Sequence, residues 1–252
     1  MGFLKFLGTA GARFVVMHQL RASGGLWLSL DGTNLLIDPG PGCLLRCLGS
    51  QPKLDPAQLD GILLTHRHLD HVNDVNIMIE AMTNGGFHRK GTVFAPHDAL
   101  IDDPVIFKHA RQQVNQITAL DPCQRYTLGT LSFTTSQQLH HSVETYGITV
   151  NGRNESVSLI TDTEYFPELS AQFPGDLLVI NVVLQEKKHG IQHLALPEAE
   201  MIIAANHPKL AVLTHFGMTL VKAEPQTLAD DMTKRLGITV IAATDGLELP
   251  LH

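Results

Sequence analysis

The segment Thr65-His66-Arg67-His68-Leu69-Asp70-His71 holds three histidines and one aspartate within six residues, and it directly follows the apolar run Gly61-Ile62-Leu63-Leu64. A short apolar run of this kind is typical of a buried strand. Side chains alternate along an extended chain, so His66 and His68 share one side of it. Imidazole nitrogens and carboxylates bind zinc, iron and manganese. We therefore predict a metal site at the end of this strand, with Asp70 and His71 directed at a second, adjacent metal position.

Three later segments end an apolar strand with a histidine or an aspartate. They are Leu139-His140-His141-Ser142-Val143-Glu144-Thr145-Tyr146-Gly147, Ser158-Leu159-Ile160-Thr161-Asp162-Thr163 and Leu210-Ala211-Val212-Leu213-Thr214-His215-Phe216-Gly217. Together with the first segment they resemble the HxHxDH motif and the later histidine, aspartate and histidine of the metallo-β-lactamase superfamily. The residues after His141 fit the family pattern and select it over His140. The resemblance extends to segments near both ends of the chain, at residues 6–11, 35–40 and 244–249.

The resemblance implies an α/β fold, a four-layer αββα sandwich of the metallo-β-lactamase type, with a metal cleft at one edge of the two sheets. It also implies two divalent metal ions, with zinc expected first and manganese or iron as alternatives. In the family roles His66, His68 and His141 hold one ion, Asp70, His71 and His215 hold the other, and Asp162 bridges them. A hydroxide between the ions would be the nucleophile. Asp70 is thereby counted with the catalytic residues as well as the ligands.

The spacing of the later candidates narrows the expected substrate. From His141 to Asp162 is 162 minus 141, or 21 residues, which leaves no room for the tRNA-binding arm that ribonuclease Z inserts there. The short interval resembles that of the cyclic phosphate phosphodiesterases of the same branch, although their cysteine-rich structural zinc site has no counterpart here. We expect a hydrolase of a small phosphodiester or cyclic phosphate. A lactone, thioester or other acyl substrate, and a non-hydrolytic metal-binding or redox protein, remain open alternatives.

Two further groups of residues are candidates for substrate chemistry. The position of His193 resembles that of the histidine which members of the ribonuclease Z branch use at the leaving group, where a protonated imidazole can supply a proton. The alternative is a histidine that packs at the start of a helix. Lys187, Lys188 and His189 could meet a phosphate at the cleft, although a run of charges is more often a solvated surface.

Composition sets broader limits on the protein. The 252 residues are 44% hydrophobic, and 18 basic against 25 acidic residues give a formal net charge of −7. This balance argues against an extended nucleic-acid partner, since such proteins usually carry a basic surface, so we expect a small-molecule substrate. No apolar stretch reaches the length of a membrane span, and residues 1–14 do not resemble a secretory signal. We expect one domain over residues 1–252 and a cytoplasmic location; the oligomeric state is open, with a homodimer among the options.

The three cysteines and the secondary structure complete the predictions. Cys43, Cys47 and Cys123 are an odd number and are best explained as buried free thiols; on a helix, the spacing of Cys43 and Cys47 would place both on one face. The hydrophobic pattern predicts the following strands and helices. The strands are 3–7, 26–30, 34–38, 61–65, 92–95, 131–139, 146–151, 157–161, 177–182, 211–214 and 239–242, and the helices are 72–82, 197–206 and 225–236.

Overall fold

Two seven-stranded sheets form the centre of the computed structural model, which describes residues 2–101 and 103–252. The strands are β1 (Gly2–Phe6), β2 (Leu26–Leu30), β3 (Thr33–Ile37), β4 (Gly61–Leu63), β5 (Thr92–Pro96), β6 (Gln116–Leu120), β7 (Arg125–Leu128), β8 (Leu131–Thr135), β9 (Ile148–Asn151), β10 (Ser156–Ile160), β11 (Leu177–Asn181), β12 (Leu210–Thr214), β13 (Val240–Ala242) and β14 (Glu248–Leu251). The helices are α1 (Ala12–Met17), α2 (Cys43–Gly49), α3 (Leu69–Val72), α4 (Val75–Met82), α5 (His97–Leu100), α6 (Lys108–Arg111), α7 (Leu196–Asn206), α8 (Met218–Lys222) and α9 (Pro225–Leu236).

Each sheet combines a parallel and an antiparallel part. The first has the order β14-β1-β2-β3-β4-β5-β6, and the second has the order β13-β12-β11-β10-β9-β8-β7. Strands β3 to β6 run parallel in the first sheet, and β10 to β13 run parallel in the second. Residues that follow the carboxyl ends of parallel neighbours emerge at one edge of a sheet, which is where open α/β sheets bind ligands.

Three apolar cores separate four layers. The core between the sheets joins residues of both, such as Phe6 and Leu28 from the first and Phe133 and Val150 from the second. A second core lies between the outer face of the first sheet and helices that include α2 and α4. A third lies between the second sheet and α7, α8 and α9. This arrangement is the αββα sandwich that the sequence predicts.

Most predicted elements are present, with differences that have local causes. The predicted helix 72–82 is wrong, because α3 ends at Val72 and α4 begins only at Val75. Between them the backbone N–H of Asp74 donates to the carbonyl of Pro39 at 2.9 Å, outside the helix. Asp74 Oδ2 in turn accepts from the N–H of Leu44 at 3.3 Å. These contacts to the Pro39 turn interrupt the helix directly after the His71 side chain.

The N-terminus of α7 forms as its sequence predicts. Pro197 lies in the first turn, and Glu198 Oε2 accepts from the N–H of Ala195 at 2.8 Å, which satisfies a donor at the helix start. In contrast, the sequence prediction does not include β6, β7, α1, α5, α6 and α8, and it gives no bounds for α2. β6 and β7 are edge strands with several exposed or half-buried residues, so neither shows a clear apolar pattern.

The three cysteines are free, and Cys43 and Cys47 are buried on one side of α2, as predicted. The predicted burial of Cys123 is wrong, because this residue lies in the exposed turn before β7. Burial raises the pKa of the Cys43 thiol, and its neighbour Cys47 adds to the shift. Over residues 2–101 and 103–252, every helix is too short or too polar to cross a lipid bilayer.

Candidate metal centre

Seven histidine and aspartate side chains from both sheets meet at one edge of the sandwich. His66 and His68 follow β4, Asp70 and His71 lie on α3, His141 precedes β9, Asp162 follows β10 and His215 follows β12. Potential ligand atoms of His66, His68, His141 and Asp162 all lie within 4.8 Å of one another, and so do those of Asp70, His71 and His215. The structure thus places the seven side chains together, in the two groups that the sequence predicts; their role as ligands is a matter for proposal.

Hydrogen bonds fix which nitrogen of His66 faces the cluster. Thr65 Oγ1 donates to Asp38 Oδ2 and lies 3.0 Å from His66 Nδ1, so the hydroxyl oxygen accepts from a protonated Nδ1. His66 Nε2 is then left with a free lone pair. This atom is buried and has no hydrogen-bond partner among the described residues. A buried, unpartnered nitrogen is costly unless a cation binds it.

Asp38 likewise fixes which nitrogen of His71 faces the cluster. His71 Nδ1 lies 2.9 Å from Asp38 Oδ2, and because an ionised carboxylate can only accept, Nδ1 carries the proton. Asp38 Oδ1 accepts from the N–H of Thr65 at 2.7 Å, which ties the carboxylate to the start of the histidine segment. The free His71 Nε2 points at His215 Nε2, 3.0 Å away.

His141 and His68 form the opposite side of the cluster. The carbonyl oxygen of Gln192 lies 3.0 Å from His141 Nδ1 and accepts its proton, so Nε2 faces inward. His141 Nε2 is 3.1 Å from His68 Nδ1, and Ser142 Oγ lies 3.4 Å from the other nitrogen of His68. Several imidazole nitrogens therefore converge with few protons between them, which is the arrangement of a metal site.

Asp162 lies between the two groups. Its Oδ2 is 3.8 Å from His66 Nε2 and 3.5 Å from His71 Nε2, and its Oδ1 is 3.4 Å from His215 Nδ1. The Asn181 side chain donates to Oδ1 at 2.9 Å and orients the carboxylate. Asp162 thus has the position that a residue shared by two ions requires, and the donor set as a whole fits a pair of divalent cations.

The electrostatics of the cluster favour the metal-binding ionisation state for most of its side chains, and His71 is the exception. Burial lowers the pKa of His66 and His68 and lowers that of His141 to about 4, so these imidazoles are neutral at pH 7. Burial opposes ionisation of Asp70 and Asp162, but the surrounding histidines hold the pKa of both carboxyls below the usual value. Despite its burial, His71 has a raised pKa because Asp70, Asp38 and Asp162 surround it. The site therefore attracts positive charge.

The remaining predicted residues lie around the cluster. His193 is next to it, with a side chain that is 19% exposed and with Nδ1 3.7 Å from Asp162 Oδ2. That nitrogen is buried and lacks a hydrogen-bond partner among the described residues. Burial lowers the pKa of His193, while Asp162 opposes the shift. His140 instead stacks on Phe166, with ring centroids 4.1 Å apart.

Lys187, Lys188 and His189 are exposed on the loop that precedes His193. Lys187 Nζ pairs with Glu198 Oε1 at 3.1 Å, so its charge is already partly balanced. The role of the three residues in substrate binding stays a prediction.

Sequence reasoning missed the residues that orient the ligands. The sequence pattern predicts Asp38 and Asn181 only as strand residues, and it assigns no role to the Gln192 carbonyl. Asp38 carried a usable signal, since it ends an apolar strand at an Asp-Pro-Gly turn, as the candidate ligands end theirs. The other two have no such signal, because an asparagine at a strand end and a backbone carbonyl occur throughout any α/β protein.

Comparison with known proteins gives a family and several relatives. The family model of the β-lactamase superfamily domain matches residues 33–216. The uncharacterized protein MJ1374 of Methanocaldococcus jannaschii is 26% identical over 254 residues, covering 98% of this chain and 94% of that protein. The probable metallo-hydrolase YhfI of Bacillus subtilis is 28% identical over 205 residues, which are 78% of this chain and 81% of YhfI.

Solved structures share the fold at lower identity. The crystal structure of YhfI has a TM-score of 0.80 at 22% identity and covers 98% of both chains. A diphosphatase of the PhnP family has a TM-score of 0.74 at 20% identity, covering 100% of this chain and 98% of its own. Zinc-bound PqqB of Methylobacterium extorquens has a TM-score of 0.76 at 18% identity, covering 99% and 100%.

Proposed function

This chain belongs to the metallo-β-lactamase superfamily, and from that premise we propose that it is a dinuclear metal-dependent phosphodiesterase acting on a small phosphodiester or cyclic phosphate. The observation that carries the proposal is the convergence of seven ligand side chains from distant parts of the chain, with Asp162 between the two groups. His66, His68, His141 and Asp162 would hold one ion, and Asp70, His71, His215 and Asp162 the other. Zinc suits this donor set, and manganese and iron also bind such sites.

Bound divalent ions would supply a water of lowered pKa as nucleophile and would stabilise negative charge on the phosphoryl oxygens. The chain's own residues prepare the site for this. Asp38, Thr65 and the Gln192 carbonyl hold protons on the outward nitrogens of His71, His66 and His141, which directs each Nε2 toward the cluster. The burial of these side chains keeps competing water from their nitrogens.

We propose that His193 serves the leaving group. As water adds to phosphorus, the ester P–O bond breaks and the departing oxygen needs a proton, which an imidazole beside the cluster can donate. His193 is partly exposed, has an unpartnered Nδ1 and lies 5.2 Å from His141 between ring centroids. These features suit a group that meets the substrate and stays free to exchange its proton with solvent.

Two observations support the proposal of a small phosphodiester. The interval from His141 to Asp162 holds only the β9–β10 hairpin, so the cleft is not covered by an inserted arm in this interval. Among the solved structures that share this fold is a diphosphatase of the PhnP family.

The direct test is hydrolysis of bis-p-nitrophenyl phosphate by the purified protein loaded with zinc or manganese. We expect nitrophenolate release that His66→Ala abolishes and that His109→Ala leaves unchanged. His109 is a matched control because its side chain is 65% exposed and lies outside the cluster. Turnover of p-nitrophenyl acetate alone would support an acyl substrate instead. Bound metal without turnover of either compound would support the non-hydrolytic alternative.

His193→Ala should lower phosphodiester turnover about 10²-fold or more, which is the usual contribution of a general acid. Metal content should stay unchanged, because His193 is not among the seven ligands. Parallel measurement of kcat and of zinc by plasma emission spectroscopy checks both. A substrate with a leaving group as acidic as nitrophenol needs little protonation, so the loss should be larger for an alkyl leaving group. Loss of zinc in the variant would instead make His193 a ligand.

A further inference from the structure

A groove of about 650 Å³ opens beside His68, and the proposed function leaves it without a role. We call it the side groove, and it is defined by Arg67, His68, Leu69, Val105, Phe107 and Val143. His68 belongs to the metal cluster as well, since its Nδ1 lies 3.1 Å from His141 Nε2. A group bound in the side groove therefore lies next to whatever occupies the cluster.

The walls of the side groove expose large apolar side chains. Leu69 is 74% exposed and Phe107 is 57% exposed. The segment that carries Phe107 is held in place, because its N–H donates to Asn76 Oδ1 at 2.8 Å and the Asn76 amide donates to the carbonyl of Val105 at 2.9 Å. Exposed apolar surface beside a reactive site favours an apolar ligand group, and a held segment loses little entropy on binding one.

The charge of the side groove excludes a second phosphate. Among the described residues that line the groove, Arg67 is the one with a permanent positive charge. The Arg67 guanidinium already forms ion pairs with two carboxylates. Nε lies 2.9 Å from Asp98 Oδ2, and one terminal nitrogen lies 3.1 Å from Asp103 Oδ2. Asp103 itself lines the groove. A polyanion such as a nucleotide chain would meet these carboxylates without a free cation to balance it.

We propose that the side groove binds an uncharged apolar substituent of the substrate, aromatic or alkyl, while the hydrolysable group lies at the metal cluster. This inference rests on the proposed function and deepens it, because it assigns the substrate to esters that carry one apolar arm. Phe107, Leu69 and Val143 of the groove lining contact that arm. Phe107 acts by binding substrate and takes no part in the chemical step.

The test compares ligands that differ only in that arm. Phenylphosphonate and methylphosphonate are titrated by calorimetry into the zinc-loaded protein, and phenylacetate and acetate provide the same pair on a carboxylate head group. We expect phenylphosphonate to bind about tenfold more tightly than methylphosphonate, in keeping with the size of apolar pocket effects. Phe107→Ala should remove that preference and leave methylphosphonate affinity unchanged. The matched control Phe87→Ala removes a phenylalanine that is 85% exposed and does not line the groove, and it should change nothing.

The possible results of these titrations distinguish a failure of the side-groove proposal from a failure of the proposed function. Equal affinities for phenylphosphonate and methylphosphonate would overturn the proposed role of the side groove. The proposed phosphodiesterase activity would not be affected by that result. In another possible result, phenylacetate binds more tightly than acetate, this preference depends on Phe107, and neither phosphonate binds. That result would support the side groove as a binding site for the apolar arm and would reject a phosphodiester as the substrate. A phenyl preference that persists in Phe107→Ala, or that Phe87→Ala removes equally, would also overturn the assignment of this groove. Absence of binding by all four compounds would reject both.

Discussion

At the scale of single residues, Asp38 lies at the end of β3 with φ of 53° and accepts from Thr65 and His71. Positive φ is uncommon for a residue other than glycine. In this conformation the Asp38 carboxylate is directed toward Thr65 and His71, at the two ends of the histidine segment. Although it lies close to His66 and His71, both of its oxygens are used in hydrogen bonds, so it orients ligands and leaves metal binding to them.

Asp38→Asn should lower zinc affinity by about 10- to 100-fold, which is the usual effect of losing a residue that orients a metal-binding histidine. The asparagine amide has one acceptor oxygen for the three hydrogen bonds that Thr65 and His71 make to Asp38, and it lacks the negative charge, so His71 is held less firmly. Competition with a chromophoric chelator measures the affinity. Asp176→Asn is the control, since Asp176 pairs with Lys209 away from the cluster. Equal zinc affinity in Asp38→Asn and the unchanged protein would contradict this role.

Metal binding should resist mild acid. The pKa of His141 is lowered to about 4 by burial, whereas a histidine in an unfolded chain titrates near 6.5. The folded state therefore binds fewer protons than the unfolded state in this window. The contribution of His141 to stability is full above pH 6.5 and is lost as the pH falls toward 4. Zinc retained after equilibrium dialysis at pH 4 to 8 is the measurement. We expect retention at pH 6 and release near pH 4; half-release above pH 6 would show that His141 is not shielded.

At the scale of elements, the loop before α1 supports His215. The N–H of Gly11 donates to the carbonyl of Phe216 at 3.0 Å, and the N–H of Phe216 donates to that of Thr9 at 2.9 Å. A Cβ on Gly11 would lie 1.9 Å from the carbonyl oxygen of His215, so only glycine fits there. His215 itself has φ of 60°, a conformation that depends on such neighbours.

Gly11→Ala should destabilise the protein by about 1–3 kcal/mol, as is usual when a close backbone contact is forced apart, and should weaken zinc binding through His215. Thermal unfolding and zinc titration measure the two effects. Gly49→Ala is a matched control at the end of α2, where an added Cβ meets nothing within 4 Å. It should leave zinc binding unchanged and stability unchanged or slightly higher. Equal behaviour of the two variants would show that the loop does not hold His215.

At the scale of the whole molecule, the ligands join the two sheets. The His66 to His71 segment extends from the first sheet, and His141, Asp162 and His215 extend from the second. Bound ions would therefore connect halves of the sandwich that are otherwise held by the apolar core between them. Any ligand that binds only the folded state stabilises it by mass action.

Removal of metal with EDTA should lower the melting temperature by about 5–10 °C, since zinc at a hundred times its dissociation constant contributes about 2.7 kcal/mol and 1 kcal/mol shifts a domain of this size by about 2–4 °C. Added zinc should restore it. Differential scanning calorimetry with metal analysis is the measurement, and His66→Ala, which removes a ligand, should show a smaller difference with and without zinc. An unchanged melting temperature after verified zinc removal would mean that the ions do not join the sheets.

Through its resemblance to the metallo-β-lactamase superfamily, the sequence was enough to predict the αββα fold and to select the seven side chains that converge. Three of these residues follow parallel strands, with His66 after β4, Asp162 after β10 and His215 after β12. Because the carboxyl ends of parallel strands meet at one sheet edge, that part of the linear pattern implies a spatial cluster. The bounds of β2 and α9 are the same in the prediction and in the structure, because both have strong periodic patterns with turn or proline boundaries.

The folded chain was needed for everything that depends on contacts between distant segments. Asp38 reaches Thr65, Asn181 reaches Asp162 and the Gln192 carbonyl reaches His141, and no pattern within one segment encodes such pairs. The break between α3 and α4 likewise comes from the Pro39 carbonyl, since local helix preference alone would continue through Asp74. The side groove depends on Phe107 lying beside His68, which follows from packing and hydrogen bonding of a loop. Local patterns record which face of an element is buried, whereas the partners across that face are set only when the sheets and helices pack together.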